Sequence, residues 1–529
     1  MLKSVVTVGG WTMASRILGF ARDMLMAAMI GTGPVADAFF VANKLPNLFR
    51  RLFGEGAFNA AFVPEFSGLL AAEGPNEARQ FAREAFSVMF FWLGALTILG
   101  EIFMPVVMTI FAPGFGADPA KFGLAVELAR ITFPYLMLIC LAALVSGVLN
   151  GLDRFAAAAG APVLYNLFAI GALLGLTPYV ATVGHAAAWG VSVSGVVQLA
   201  LLVWASGRAG MPVRIPRPRL TPRMRILLRR MAPGLIGASA TQLNQVVDVI
   251  IASLLPAGTV SLLYYADRVQ QLPLGVIGTA VGTALLPLLS RQVRGGEAQA
   301  SHATLNRAIE YALLLTLPAA LALAVSPFPI MWALFGRGAF DVESARLSAQ
   351  SLTAYAVGLP AVVLLKVLAP GFFARGDTAT PVRIGMITLA INFVLNLAMM
   401  VPLQHVGPPL ATSLAAVFNV GALAVVLLRR GYMVPDAAML RRIPRMLLAA
   451  LAMAVTLWFA EAPLFSHAAA MQHGAKLFAL AALVGLGCGV YAVAAQLLGA
   501  FDVRDVLSVL KRRRLRRAGG SAISPAPPA

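Results

Sequence analysis

Charged side chains interrupt the apolar stretches of this chain at a few places, and their types and spacing set the chemistry available. Arg16, Arg22, Asp23, Asp37, Lys44, Arg50, Arg51 and Glu55 crowd its first part, and Asp248, Asp267, Arg268 and Lys366 recur later. A charge at the centre of a membrane-spanning helix costs roughly 2.5–3.5 kcal/mol on insertion scales, so it faces a cavity or a partner. Arg16 and Asp23 share a helix face, while Arg22 lies about 120° away unless the helix is rewound near Gly19. Asp37, Lys44 and Arg51 form a second stripe, which Arg50 joins only if Pro46 kinks the segment. One reading is structural ion pairing, as Arg16–Asp23 or Asp37–Lys44. For the group, the cations Arg16, Arg22, Lys44, Arg50, Arg51 and Arg268 outnumber the carboxylates Asp23, Asp37, Glu55 and Asp267. A cavity with surplus cations implies an anionic ligand. Guanidiniums bind phosphate bidentately and keep their charge when desolvated, so the expected ligand carries phosphate.

The elements that position these residues follow from composition. Of 529 residues, 59% are hydrophobic and 12% charged, with mean hydropathy +0.82. Soluble domains carry about 25% charged residues, so neither an ordinary soluble chain nor a disordered one fits. Two cysteines exclude a disulfide scaffold, and Cys140 and Cys488 read as inert thiols in apolar stretches. Apolar runs long enough to span a bilayer recur from end to end, without the alternation of an outer-membrane barrel. The expectation is an all-α polytopic membrane protein with about 14 transmembrane helices, the first at 4–30 and the last at 477–499. The second span, 34–70, is so long that it must tilt, bend or protrude. No cleavable leader is expected, since Arg16, Arg22 and Asp23 interrupt the first apolar run.

An even number of spans puts both termini on one side, and with that side cytoplasmic, 29 of the 41 Lys and Arg fall in cytoplasmic segments. The opposite side holds only Lys121, Arg337, Arg346 and Lys476. The net charge of +19 is then topological and needs no nucleic acid. A repeat is offset by about 220 residues: Pro64-x-x-Ser67 matches Pro287-x-x-Ser290, Pro105-x5-Phe111 matches Pro329-x5-Phe335, Tyr135 matches Tyr355, and Pro162 matches Pro381. Such an offset spans six helices and gives parallel repeats. The expected plan is two six-helix lobes, 1–215 and 216–432, two extra C-terminal helices within 433–502, and a basic cytoplasmic tail at 503–529. This is a transporter plan, with substrate between lobes and alternating access.

The segments SRILGFARD (15–23), DAFFVANKLPNLFRRLFGEGAFNAAFVPEF (37–66), ITFPY (131–135), YYADR (264–268) and KVLAPGFFARGDTATPV (366–382) resemble the MurJ/MviN family of lipid II flippases, in the multidrug/oligosaccharidyl-lipid/polysaccharide exporter superfamily. The resemblance runs over essentially the whole chain. It implies export of the undecaprenyl-diphosphate-linked peptidoglycan precursor to the outer leaflet of the bacterial inner membrane, in service of cell-wall synthesis. It implies substrate binding by Arg16, Arg22, Asp37, Lys44, Arg50 and Arg268, preferring Arg50 over Arg51. An acidic position that some members carry after YYADR is Gln271 here. The resemblance also makes the last two helices a groove for the polyprenyl tail. Its implied partners are lipid II, membrane lipids and the peptidoglycan-synthesis machinery.

Asp248 is the lone carboxylate of its span and needs a proton, a cation or an arginine. Asn392 and Asn396 share a face of span eleven, and Thr412 follows Pro408 and Pro409. Their oxygens suit a hard cation, which makes Asp248, Asn392, Asn396 and Thr412 a candidate sodium site, with Na⁺ as coupling ion. Some members of the family that the chain resembles have a sodium site in the second lobe, and those members place a second carboxylate where Asn396 stands. The alternative reading is hydrogen-bonding between helices with Asp248 protonated.

No catalytic signature competes. A Walker A motif is missing, the five histidines (His185, His302, His405, His467 and His473) lack metal-site spacing, and no strand precedes GEGAFNAAF. No enzyme activity and no organic cofactor are therefore expected. The remaining alternatives are a flippase for another polyprenyl-diphosphate oligosaccharide, a drug exporter, and a membrane enzyme acting on polyprenyl phosphates. The cation-rich first spans argue against a cationic drug, and an enzyme needs carboxylates or histidines converging at one membrane face.

Overall fold

The computed structural model describes residues 2–51, 58–465 and 471–500; Glu55, His467 and the expected tail at 503–529 lie outside them. Every regular element among the described residues is helical. In order they are α1 (Leu2–Ile30), α2 (Pro34–Phe49), α3 (Phe58–Ala72), α4 (Pro75–Ile102), α5 (Met104–Phe111), α6 (Pro119–Thr132), α7 (Tyr135–Gly151), α8 (Phe155–Leu176) and α9 (Val183–Arg208). There follow α10 (Pro222–Ser253), α11 (Thr259–Arg294), α12 (Ala298–Val325), α13 (Pro327–Phe335), α14 (Val342–Phe373), α15 (Ala379–Leu403), α16 (Gly407–Arg429), α17 (Ala437–Phe465) and α18 (His473–Leu497).

These helices accommodate the fourteen expected spans once four spans are each read as a broken pair: α2 with α3, α4 with α5, α6 with α7, and α12 with α13. Three of the breaks have a visible cause. Pro105 opens α5, Pro134 precedes α7, and Pro327 opens α13. A proline has no N–H for the helical ladder, and its ring disfavours a helical residue before it. The paired motifs at Pro105 and Pro329 fall on the two short helices α5 and α13, which end at Phe111 and Phe335. Among the described residues, nine helical stretches are long and apolar enough to cross a membrane, and the chain is a multi-pass membrane protein.

Two compact units divide the chain. The first holds Met1–Val269, Leu334–Ser351 and Gly385–Thr412. Here α1 packs on α8, α8 on α9, α2 on α6, and α7 on α9. Its core carries a stack of Phe62 on Phe66 and Phe81, walled by Leu141, Leu144, Val145 and Val148. The end of α1 closes against the segment before α14. Gly31 (φ 66°) and Gly338 (φ 56°) both take left-handed backbone there, and a Cβ on either would sit within 2.4 Å of a carbonyl oxygen, of Ala339 or Ala28. Only glycine fits at both places.

The second unit holds Gln270–Ala333, Leu352–Ile384 and the described part of Ser413–Ala529. Its core gathers Leu305, Val363, Phe372, Leu423 and Leu427. Against this core α17 packs on α12 and α18 on α17, and the Tyr491 hydroxyl donates to the Leu314 carbonyl at 2.8 Å. A charged seam joins α12 to α17: Glu310, 3% exposed, pairs with Arg307 at 2.6 Å and with Arg442 at 3.0 Å.

Candidate functional site

Of the charged groups that interrupt the apolar stretches, those that the structure describes belong, Lys366 apart, to the first unit. Asp23, on α1, is fully buried and accepts from four donors. Arg22 reaches it with Nη2 at 2.8 Å and Nε at 3.2 Å, Tyr264 on α11 with its hydroxyl at 3.2 Å, and Arg268 on α11 with Nε. One carboxylate thus serves two guanidiniums, and the cluster keeps an excess positive charge. Arg22 is held further by Asn166 on α8, whose Oδ1 accepts from Nη1 at 3.1 Å, and its guanidinium lies 5.2 Å from the Tyr165 ring centre. Asn166 is itself fixed, donating to the Ser15 and Pro162 carbonyls at 3.0 and 3.1 Å. Tyr264 stacks on Phe40 of α2 at 3.9 Å between ring centres.

Neither ion pair considered from helical geometry forms. Arg16 is exposed and has no ion pair among the described residues, since Asp23 is taken by Arg22 and Arg268. The long Arg22 side chain folds onto its sequence neighbour, a contact that helix-face geometry does not anticipate. Asp37 pairs with Lys121 at 2.8 Å rather than with Lys44. It also accepts from the Gly258 and Ser261 amides at 2.7 and 2.9 Å, with the Ser261 hydroxyl at 2.9 Å. At 1% exposure and so fully engaged, Asp37 acts as the cap of α11 and offers no open face to a ligand. Lys44 is exposed and interacts electrostatically with Asp248, Asp267 and Arg51.

Arg50 caps the end of α2, and its Nε donates to the Asn47 Oδ1 at 3.2 Å. Its neighbour Arg51 reaches α10 instead, with Nη1 on the Gln245 Oε1 at 3.0 Å. Lys366, in the second unit, is exposed. The four candidate sodium ligands divide into two sets. Asn392 donates to the Thr412 hydroxyl at 3.3 Å, and Asn396 donates to the Asn392 carbonyl and Oδ1, both at 3.0 Å. Asp248 interacts electrostatically with Lys44 and Asp267. Two buried oxygens, Asn396 Oδ1 and Asp248 Oδ1, have no hydrogen-bond partner among the described residues. An orphaned oxygen of this kind suits a hard cation, but among the described residues no hydrogen bond joins Asp248 to the set of Asn392, Asn396 and Thr412.

Asn166 and Tyr264 were not singled out from sequence, because a search for charges passes over neutral donors. The available signals were the one asparagine in the apolar run of α8 and the tyrosine pair that stands one residue before Asp267-Arg268.

Fold and site together define a multi-pass α-helical membrane protein with a cation-rich cluster among its spanning helices. The model of the lipid II flippase MurJ family matches residues 26–475. A probable lipid II flippase MurJ of Rhizobium meliloti (strain 1021) is 44% identical over 99% of this chain and 98% of its own length. A second, from Rhizobium tropici, is 42% identical over 97% of each. The chain belongs to the MurJ family. A solved structure described as lipid II flippase MurJ in an inward closed conformation has the same fold, with TM-score 0.78 and 23% identity over 95% of this chain and all of that one.

Proposed function

We propose that this protein is a lipid II flippase: it carries the undecaprenyl-diphosphate-linked peptidoglycan precursor from the inner to the outer leaflet of the bacterial inner membrane, for cell-wall synthesis. The observation that carries the reading is the sharing of Asp23 by Arg22 and Arg268, with Arg16 open on the same α1. A diphosphate offers more charge and more acceptor oxygens than one carboxylate, so it competes for both forks. Alternating access then follows from exchange of partners: the guanidiniums hold Asp23 when empty and phosphate when loaded. Arg50 and Lys44 add charge along the path of the headgroup. The polyprenyl tail lies against α17 and α18, whose Trp458, Phe459 and Phe478 are exposed. The role is transport and not catalysis, since the substrate leaves chemically unchanged.

Both termini are cytoplasmic in this reading, supported by the 29-to-4 division of Lys and Arg. A Cys placed at position 217, in a chain lacking Cys140 and Cys488, should resist an impermeant thiol reagent applied to intact cells. Na⁺ is the coupling ion, held by Asn392, Asn396 and Thr412 with Asp248 supplying the charge. Bound there, the ion would supply a charge compensating that of Asp248, and the amide and hydroxyl oxygens of Asn392, Asn396 and Thr412 would face it.

The deciding experiment places purified protein in liposomes with lipid II in one leaflet and no other enzyme. Lipid II should appear in the other leaflet, intact. Its failure to cross, or equal crossing with the Arg22→Ala variant, rules the reading out. Depleting the protein in its host should cause lipid II, and no other lipid-linked precursor, to accumulate.

A further inference from the structure

The segment between α9 and α10 lies along the start of α4. Arg79 Nε donates to the Gly210 carbonyl at 3.1 Å, Arg83 Nε to the Pro212 carbonyl at 3.3 Å, and the Ser87 hydroxyl to the Pro216 carbonyl. Between them lies a narrow cleft lined by Arg79, Arg83, Phe86, Leu144 and Val148. Binding the carbonyls through Nε leaves terminal nitrogens of both guanidiniums at the cleft; one of them, Arg79 Nη1, reaches Asn76 Oδ1 at 3.4 Å. Arg83 is in electrostatic range of both Arg79 and Arg214, and these like charges repel. The nearby carboxylates are engaged elsewhere. Glu73 and Glu77 pair with Arg223, Glu65 pairs with Arg230, and Glu84 accepts from Gln80 and Thr221. Among the described residues none of the three clustered arginines forms an ion pair. The level of the cleft is marked by Trp204, which is exposed and carries the Arg208 guanidinium 4.7 Å from its ring centre. An exposed tryptophan under an arginine belongs at the headgroup level of a bilayer.

We propose that Arg79, Arg83 and Arg214 hold the phosphate of an anionic phospholipid headgroup at the mouth of this cleft. Arg79 and Arg83 line one cleft, Arg214 lies within electrostatic reach of Arg83, and none of the three has an ion-pair partner among the described residues, so the group needs a counter-anion; phosphate accepts from several forks at once. The leaflet concerned follows from the orientation proposed above, whereas binding itself does not depend on it, and lipid II transport need not fail when this site does. Bound there, the lipid ties the segment after α9 to α4.

The test titrates the purified full-length protein in neutral detergent with short-chain phosphatidylglycerol, phosphatidylcholine or inorganic phosphate, read by native mass spectrometry and thermal shift. Phosphatidylglycerol should bind and raise the melting temperature, and the double variant R83Q/R214Q should bind it about tenfold or more weakly, as expected for losing charge-assisted hydrogen bonds. The double variant R217Q/R219Q, which removes equal charge from the same segment outside the cleft, should bind as the parent does. Equal binding of phosphatidylcholine, equal loss in both double variants, or the same stabilisation by inorganic phosphate alone would each overturn the proposal.

Discussion

Arg268 on α11 donates to the carboxylate of Asp23 on α1, across 245 residues of sequence, and Arg22 takes the same carboxylate from the other side. Removing a single partner from a buried ion pair commonly costs about 3–5 kcal/mol, because the remaining charge stays uncompensated. Asp23→Asn leaves two guanidiniums facing each other. We expect that variant to melt well below the parent in detergent and to lose lipid II transport. Adding Arg268→Gln should recover much of the melting temperature without recovering transport. If the single and double variants melted alike, the shared carboxylate would not be the element that holds α1 to α11.

Arg16 and Arg22 separate substrate contact from structure. Arg16 is exposed and unpaired among the described residues, whereas Arg22 is bound to Asp23 and Asn166. Arg16→Ala should therefore abolish growth complementation with almost no change in melting temperature. Arg22→Ala should lower both. Arg22→Lys should keep most of the stability and lose transport, since an ammonium cannot present the planar fork. Complementation by Arg16→Ala at the parental level would remove Arg16 from the substrate path.

Proteoliposomes with imposed gradients decide the coupling ion. An inward-to-outward Na⁺ gradient should change the transport rate of the parent protein, and Asp248→Asn should make that rate indifferent to it. Asn396→Asp, which supplies a carboxylate beside Asn392, should strengthen the Na⁺ dependence. A parent indifferent to Na⁺ but responsive to a proton gradient would reassign Asp248 to proton carriage.

Outside the spanning helices, Asp377 links the start of α15 to the end of α16. Hydrogen bonds from the Thr380 hydroxyl and amide, with Arg430 beside it, hold its carboxyl down to about 2 from an ordinary 3.8. A depressed carboxyl contributes stability above its unfolded value and loses it as pH falls through the folded one. The parent should accordingly lose melting temperature between about pH 4 and pH 2, and Asp377→Asn should flatten that part of the profile. An unchanged profile in the variant would assign the acid loss to other carboxylates.

The sequence made the helical class, the charged residues and the repeat legible, because each is a local or periodic property. Partner choice was not legible. Lys121 reads as a loop charge on one side of the membrane, yet its ammonium lies against Asp37, 84 positions earlier. Helical faces suggested Arg16 for Asp23, but α11 supplies Arg268 from the other half of the chain. Asn166 escaped for another reason: a neutral side chain in an apolar helix carries no charge signal, and its hold on Arg22 exists only once α8 packs on α1. Likewise the break between α6 and α7 is written in Pro134, and Asn392, Asn396 and Thr412 could be grouped by type and spacing, whereas the hydrogen bond from Asn392 to Thr412 exists only where α15 meets α16.

The cap of α11 is borrowed. Gly258 stands at its entrance and has no side chain with which to satisfy the first turn, so Asp37, 221 residues earlier, accepts from the Gly258 and Ser261 amides. Because a ribosome works from the N-terminus, Asp37 and Lys121 are already made when this helix emerges. The acceptor therefore waits for its donors, and α11 can be seated as it is synthesised. A C-terminal half made alone would begin α11 with open amides, so the order of synthesis is built into how the two halves come together.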